Sequence, residues 1–291
     1  MMNNKAFEYK TTITAQHRVL DLHIRETLRY RDLIFLFVKR DFTAKYKQTI
    51  LGPLWAVIQP LLTTVVFTII FGRLAKLTTA DAPGDLKIPG FLFYMAGNIC
   101  WGYFAATVND VSNVFIKYRN IMGKVYFPRL VGTIASACSN LISFGIQFVL
   151  MLGILLIYLL AGDTGVRITP ILLLIPLLVL HLMVLAIGCG IIISSVTTKY
   201  RDLAMLVSFG LQLWQYGSPV AYGLELVPLQ YRGLYLLNPV TPILTAFRHV
   251  LFGAGFFSLR YYVISLIVTL AVVLIGLILF SRIERTFMDT I

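Results

Sequence analysis

Few side chains in this sequence could carry out chemistry, and those that could stand apart from one another. Asp110 and Asp202 each have no second acid and no histidine nearby in the sequence, so neither has the partner that acid–base catalysis requires. His181 lies alone in an apolar run, where a histidine more often forms a hydrogen bond between helices than relays protons. The sequence therefore predicts that this chain is not an enzyme.

The sequence also contains no nucleotide-binding loop and no metal-ligand pattern. The pair Gly123-Lys124 lacks the glycine that a P-loop needs five residues before Gly123. Val125 follows the pair, where a P-loop needs Ser or Thr. The sequence has three cysteines, Cys100, Cys138 and Cys189. An odd number does not suit a disulfide framework, and their spacings match no metal site. We expect no cofactor and no metal on this chain, so any ATP-derived energy must come from another subunit.

The basic, aromatic stretch SNVFIKYRNIMGKVYFPRL, residues 112–130, interrupts two long apolar runs. At helical spacing it predicts a short amphipathic helix, capped by Ser112 or Asn113 and ended before Pro128. Such a helix could lie on the membrane surface or insert its apolar face into a groove of a partner protein. The predicted apolar face consists of Val114, Phe115, Tyr118, Ile121, Met122 and Val125, and the opposite face of Lys117, Asn120 and Lys124.

The elements around this stretch must be membrane helices. Of the 291 residues, 58% are hydrophobic and 13% are charged, which is too little charge for a soluble surface. The net charge of +12 is then better explained by basic loops beside anionic lipid than by nucleic acid. A spanning helix needs about 20 mostly apolar residues. Six segments qualify, at 51–71, 90–108, 130–161, 171–196, 203–222 and 262–280.

Basic residues predict the orientation of these six spans. With the N-terminus in the cytoplasm, eighteen lysines and arginines lie on the inner side and seven on the outer side. The positive-inside rule therefore favours an arrangement with both termini inside. Residues 1–50 become a cytoplasmic segment, residues 51–285 the membrane domain and residues 286–291 a cytoplasmic tail. An amphipathic interface helix is predicted in the first segment from Leu28, Ile34, Phe35, Val38, Phe42 and Tyr46.

The region between the fifth and sixth spans, residues 223–261, is too apolar for an ordinary loop. Thr241 as N-cap, Pro242 in the first turn and Gly253 or Gly255 as a stop predict a helix over 242–252. Non-helical backbone at membrane depth is tolerated where protein buries it or a cavity borders it. The region therefore predicts short external helices at a pore mouth, with an apolar loop packed on the outer surface as the alternative.

Four stretches of the chain resemble the membrane subunit of type-2 ABC exporters, specifically the permeases for polysaccharides and polyol phosphates such as O-antigen, capsule and teichoic acid. The stretches are VKRDFTAKYKQTILGPLWAVIQP at 38–60, KVYFPRL at 124–130, KYRDLAMLVSFGLQLWQYGSPVAY at 199–222 and LLNPVTPILTAFRHVLFG at 236–253. They occur in the family's order from about position 30 onward.

The resemblance implies a homodimer that binds two cytoplasmic ABC ATPase subunits, which carry the ATP and Mg²⁺. It also implies a role for three groups of residues. The ATPase-docking coupling helix would contain Phe115, Ile116, Lys117, Tyr118, Arg119, Ile121 and Met122; a second cytoplasmic contact would contain Lys199, Tyr200, Arg201 and Asp202; the external gate would contain Pro239, Thr241, Pro242 and Arg248.

Aromatic side chains suit the flat C–H faces and hydroxyl rims of sugars. Several aromatic and amide residues on the second and fifth spans are therefore candidates for a substrate channel, although tyrosine and tryptophan also collect at membrane interfaces. The channel candidates are Tyr94, Asn98, Trp101, Phe104, Trp214, Tyr216 and Tyr222.

The combined expectation is an all-α protein of the bacterial plasma membrane, the channel-forming subunit of an ATP-driven exporter of a lipid-linked polysaccharide or teichoic-acid-like polymer. Three alternatives remain open at this point. The chain could be an ABC permease for a small lipid or drug, a membrane-embedded glycosyl- or acyltransferase, or a scaffold that transports nothing.

Overall fold

The computed structural model describes residues 27, 29–47, 49–75, 88–122, 124–125, 127–162, 164, 166, 170–197 and 203–288. This part of the chain is helical and contains no strand. Short 3₁₀ turns precede α2, α6 and α8, and a π-helix at Thr68–Leu74 follows α2. The α-helices are α1 Arg31–Tyr46, α2 Trp55–Phe67, α3 Gly90–Ser112, α4 Val114–Met122, α5 Leu130–Ala161, α6 Ile175–Thr197, α7 Leu203–Tyr216, α8 Leu229–Leu237, α9 Val240–Phe252 and α10 Leu259–Met288.

Five of the predicted spans are helices long and apolar enough to cross a membrane, at Gly52–Leu74, Gly90–Ser112, Leu130–Ala161, Pro170–Thr197 and Leu259–Ser281. The all-α membrane fold is confirmed. The predicted helix over 203–222 is wrong at its end: α7 has 14 residues, about 21 Å at 1.5 Å per residue. The chain then turns at Gly217, and Pro219 has no N–H with which to continue the helix. The count of six spans and their orientation stay predictions.

Helix α3 lies at the centre of the fold. The five consecutive residues from Leu92 to Ala96 are all at most 3% exposed, and five consecutive residues take in every side of a helix, so this part of α3 is enclosed by its neighbours. Helices α2, α5, α6 and α9 surround it. Because α3 contacts all four of these helices, it forms the centre of the packing.

Helices α6 and α10 pack closely because both carry glycine at their contact. A Cβ atom added to Gly276 would lie 3.1 Å from the Gly188 carbonyl oxygen. On another face of α6, a Cβ on Gly190 would lie 2.6 Å from Val111 Cβ of α3. Small residues at such contacts allow helix backbones to approach each other in a membrane, where packing drives association.

Helix α1 confirms the predicted N-terminal helix and most of its predicted face. Val38 and Tyr46 are buried, and Ile34 and Phe42 are half-buried, whereas Phe35 is 72% exposed. Phe37 and Asp41, which the pattern did not include, are buried as well. This face packs against α5 and against the short helix α4. Leu28 lies outside the described residues.

Helix α9 begins two residues earlier than predicted, and Thr241 is not its N-cap. The side-chain oxygen of Asn238 accepts the Val240 N–H at 3.2 Å, so an asparagine before Pro239 takes the capping position. Thr241 lies inside the first turn and is buried. The predicted stop is confirmed at Gly253, whose φ of +67° is the left-handed conformation that glycine adopts without strain.

Candidate functional site

A polar cleft of about 670 Å³ lies between α2, α3, α5 and α7 and extends to the end of α1. Among the described residues that line it, seven carry side-chain amides, in helices that are otherwise strongly apolar, and Lys45 is the one charged residue. Amides both donate and accept hydrogen bonds without carrying charge. The amides of the cleft can therefore bind hydroxyl groups. The amides are Gln59, Asn98, Asn109, Asn140, Gln147, Gln212 and Gln215.

Two of the predicted channel residues, Asn98 and Trp101, line this cleft. The Trp101 ring lies 5.4 Å from the Phe104 ring and 6.1 Å from the Trp214 ring. Phe104 is fully buried behind it, and the Trp214 indole N–H donates to Asn238 Oδ1 at 3.2 Å. Phe104 and Trp214 thus fix the orientation of Trp101 rather than line the cleft themselves.

The other predicted channel residues lie elsewhere. Tyr94 is buried beside Gly72 at the opposite end of α3. Tyr216 is 63% exposed at the end of α7, and Tyr222 lines a second, smaller pocket. None of the three is among the residues that line the cleft.

The glutamines of the cleft were missed by the sequence analysis, which searched the spans for aromatic and ionisable residues. A signal was present: Gln212 and Gln215 are three residues apart on α7, so they share a helix face. Gln59 and Gln147 interrupt apolar runs in the same way. A polar face on a membrane helix predicts a cavity or a partner, because lipid cannot satisfy it.

The polar atoms of the cleft are only partly satisfied by the protein. Asn98 donates to Thr64 Oγ1 at 3.3 Å, and Asn140 donates to Asp110 Oδ2 at 2.8 Å. Within the part of the chain that the structure describes, the buried Asn98 Oδ1 atom has no hydrogen-bond partner. An unsatisfied buried acceptor costs free energy, and this atom is almost inaccessible from the cleft.

The short helix α4 is attached to α1 through the buried carboxylate of Asp41. Tyr118 Oη donates to Asp41 Oδ2 at 2.5 Å, and Lys117 Nζ contacts the same oxygen at 2.7 Å. Arg40 Nη2 binds the other oxygen at 2.8 Å. The Phe37 and Tyr118 rings pack 5.0 Å apart. Charge-assisted bonds of this kind are about twice as strong as neutral ones, so α4 and α1 are firmly joined.

The environment of Asp41 favours its ionised form. Burial opposes ionisation, but hydrogen bonds from Lys117, Tyr118 and Arg40 outweigh it and hold the pKa of the Asp41 carboxyl below its ordinary value. Burial and the Asp41 charge raise the pKa of the Tyr118 hydroxyl. Tyr118 therefore stays protonated and donates its hydrogen bond.

The predicted exposed aromatic face of α4 is wrong. Val114, Phe115 and Tyr118 are buried inside the chain, because α1, α5 and Phe280 of α10 cover them. Neither predicted cap acts as one: Ser112 Oγ and Asn113 Nδ2 both donate backward to the Asn109 carbonyl. The surface that α4 presents outward consists of Ile116, Lys117, Arg119 and Asn120. The side chain of Met122, and residues Lys199, Tyr200, Arg201 and Asp202, lie outside the described residues.

The predicted gate residues gather around α9 at the other end of the fold. Thr241, Pro242 and Arg248 are buried, and Pro239 is half-buried. Arg248 donates to the carbonyl oxygens of Pro219 and Val220 at 2.6 Å each, and its guanidinium lies 3.8 Å from the Phe93 ring centroid. Arg248 thus ties the non-helical turn after α7 to α9 and α3.

Comparison with known proteins agrees with this geometry. Residues 32–252 match the family model described as ABC-2 type transporter. The chain is 26% identical over 272 residues to an O-antigen export system permease protein RfbA of Klebsiella pneumoniae, which covers 93% of this chain and 99% of that protein. It is 28% identical over 232 residues to the protein of that name from Myxococcus xanthus, covering 79% and 84%. Since the matched range takes in more than half of its 291 residues, this chain belongs to the ABC-2 type transporter family.

Proposed function

We propose that this chain is the channel-forming subunit of an ATP-driven exporter that carries a lipid-linked polysaccharide across the bacterial plasma membrane. The observation that carries the proposal is the amide-rich cleft between α2, α3, α5 and α7. Sugar hydroxyls match the amide donors and acceptors of the cleft, and Trp101, which is 4% exposed, contributes a small apolar part of the wall. The similar proteins of Klebsiella and Myxococcus, both O-antigen export permeases by name, support the same substrate class.

An ABC-2 permease works with an ABC ATPase subunit, and helix α4 is the proposed docking element. Its outward face offers Ile116, which is 51% exposed, beside Lys117 and Arg119. A movement of α4 would reach α3 through Asn113, the one residue between them, and α1 through Asp41. Lys199–Asp202 remain the proposed second contact. ATP and Mg²⁺ would bind to the partner ATPase.

The proposed active unit is a homodimer with two ATPase subunits. Beside the cleft, α7 exposes Met205, Phe209 and Leu213, and α2 with its π-helical extension exposes Val66 and Ile70. Apolar faces on both sides of a polar cleft suit a second copy of this chain. The second copy would close the open side of the cleft and convert it into a channel.

The alternative functions find less support in the site. A small-lipid or drug permease would need an apolar cavity, whereas the cleft is rich in amides. A glycosyl- or acyltransferase would need paired acids, but Asp110 is bound to the Asn140 amide. In the described residues no group of three His, Cys, Asp or Glu side chains is placed to hold a metal ion. A teichoic-acid-like polyanion would meet Lys45 as the single cation among the described residues of the lining.

The proposal is tested in cells that lack this chain. We expect the polysaccharide to disappear from the surface and its lipid-linked form to accumulate on the inner face of the plasma membrane. A plasmid-borne copy of the chain should restore export, and the ATPase subunit should co-purify with it. Unchanged surface polysaccharide in the deletion strain would contradict the proposed substrate.

A further inference from the structure

A second pocket, of about 410 Å³, lies beside helix α8 at the end of the fold away from α4. Three tyrosines, Tyr222, Tyr231 and Tyr235, form most of its wall, and Leu226, Val227 and Pro228 complete it. Its volume falls within the roughly 300–1,000 Å³ of small-ligand sites. Neither family membership nor the coupling of ATP to transport explains why three phenols converge there.

Hydrogen bonds within the chain preorganise the wall of this pocket. Arg232 donates to the carbonyl oxygens of Glu225 and Val227 at 2.6 and 2.8 Å, and so fixes the segment that carries Val227. Tyr222 Oη donates to the Tyr216 carbonyl at 2.9 Å, which sets the orientation of its ring. The rings of Tyr222 and Tyr235 stand nearly perpendicular, with centroids 6.3 Å apart. A preorganised wall reduces the entropy lost on binding.

The chemistry of the wall selects a neutral ligand with a flat apolar face and a hydroxyl rim. None of the described residues that line the pocket is charged, so none of them would balance a phosphate or carboxylate. Phenol rings supply apolar faces, and their hydroxyls supply polar edges. A lipid tail would use the apolar faces but leave the hydroxyls without a role. A neutral sugar ring uses both.

The path of the chain connects this pocket with the cleft. Helix α7 carries Gln212 and Gln215 in the cleft lining and ends at Tyr216, whose carbonyl oxygen holds Tyr222. A polymer that leaves the cleft along α7 therefore meets the tyrosines next. We propose that Tyr222, Tyr231 and Tyr235 form a binding site for a neutral sugar residue of the outgoing polysaccharide. This inference rests on the proposed function and adds a second binding position to it.

The test measures binding of a neutral oligosaccharide to the full chain in lipid nanodiscs, with maltohexaose as the probe and saturation-transfer NMR as the readout. Tyr231→Ala should weaken binding about tenfold, as expected for the loss of roughly 1.4 kcal/mol of ring stacking. Tyr231→Phe keeps the ring and should bind within about twofold of the wild type. Leu229→Ala is the matched control, because Leu229 is 80% exposed on the same helix but is not among the lining residues.

Tyr231 is 53% exposed, so its replacement should leave the thermal unfolding midpoint unchanged, and the midpoint is measured alongside binding. Equal binding by wild type and Tyr231→Ala would overturn the site. Loss of binding in Gln212→Ala with no effect of Tyr231→Ala would assign the probe to the cleft and also overturn it. Failure of the proposed function is recognised separately, since the deletion strain would then export its polysaccharide normally.

Discussion

Replacement of Gly97 by alanine tests whether the Arg248 contact holds α3, α9 and the turn after α7 together. A Cβ atom on Gly97 would lie 2.3 Å from Arg248 Nη2 and 2.5 Å from the Val220 carbonyl oxygen. The guanidinium could rotate away, but the carbonyl belongs to the turn that Arg248 binds. Both partners of one hydrogen bond, Arg248 Nη2 and Val220 O, would therefore be pushed apart at once.

The expected loss of stability follows from three contributions. Overpacking costs about 1–3 kcal/mol, and loss of a hydrogen bond to a charged group costs about 1.5–3 kcal/mol. Alanine gains roughly 0.5–1 kcal/mol over glycine inside a helix. The steric and hydrogen-bond costs exceed the propensity gain, so Gly97→Ala should lose on the order of 3 kcal/mol of unfolding free energy.

The measurement is thermal or denaturant unfolding of the purified chain in detergent micelles. Gly102→Ala is the matched control, because Gly102 lies on the same helix and an added Cβ there meets nothing within 4 Å. We expect Gly102→Ala to be at least as stable as the wild type and Gly97→Ala to unfold at a clearly lower temperature. If the two variants unfolded together, the described packing of α3 against Arg248 and Val220 would be wrong.

Three further predictions concern the other parts of the fold. In the folded chain the pKa of Asp41 lies below its ordinary value of 3.8. The contribution of Asp41 to the free energy of unfolding is therefore complete above pH 3.8 and is lost as the pH falls through the folded pKa. Asp41→Asn should lower stability at neutral pH and remove this acid dependence, as measured by unfolding at several pH values. Ile116→Glu should reduce co-purification of the ATPase, whereas Ile116→Leu should retain it; equal recovery of ATPase with both variants would refute docking through α4. Trp101→Ala should reduce export of polysaccharide more than assembly with the ATPase, and Trp101→Phe should restore much of it; normal surface polysaccharide in Trp101→Ala would remove Trp101 from the transport path.

The long helices could be predicted because each depends on a local property of the sequence. About 20 successive apolar residues are enough to span a membrane, and the five long spans were found in this way. The end of a helix could be predicted where a single residue determines it, as at Gly253 with its positive φ. The prediction failed at Thr241, because Asn238, three residues earlier, takes the capping position instead.

The environment of α4 could not be predicted, because periodicity shows which face of a helix is apolar but not what covers it. Phe115 and Tyr118 have the spacing of a docking face, yet they are covered by Phe280 and Phe37, distant in the sequence. Asp41 was overlooked for a related reason. A single acid among basic residues looks like a solvated surface charge until Tyr118 and Lys117 are placed beside it.

The carbonyl contacts of Arg248 also bear on the order in which the helices pack during synthesis. A buried guanidinium is costly unless its donors find acceptors. The acceptors of Arg248, the carbonyl oxygens of Pro219 and Val220, belong to a segment that is synthesised before it. Helix α9 can therefore bury Arg248 at low cost only against a turn that has already formed. We expect α9 to pack onto α3 after α7 and the turn that follows it are in place.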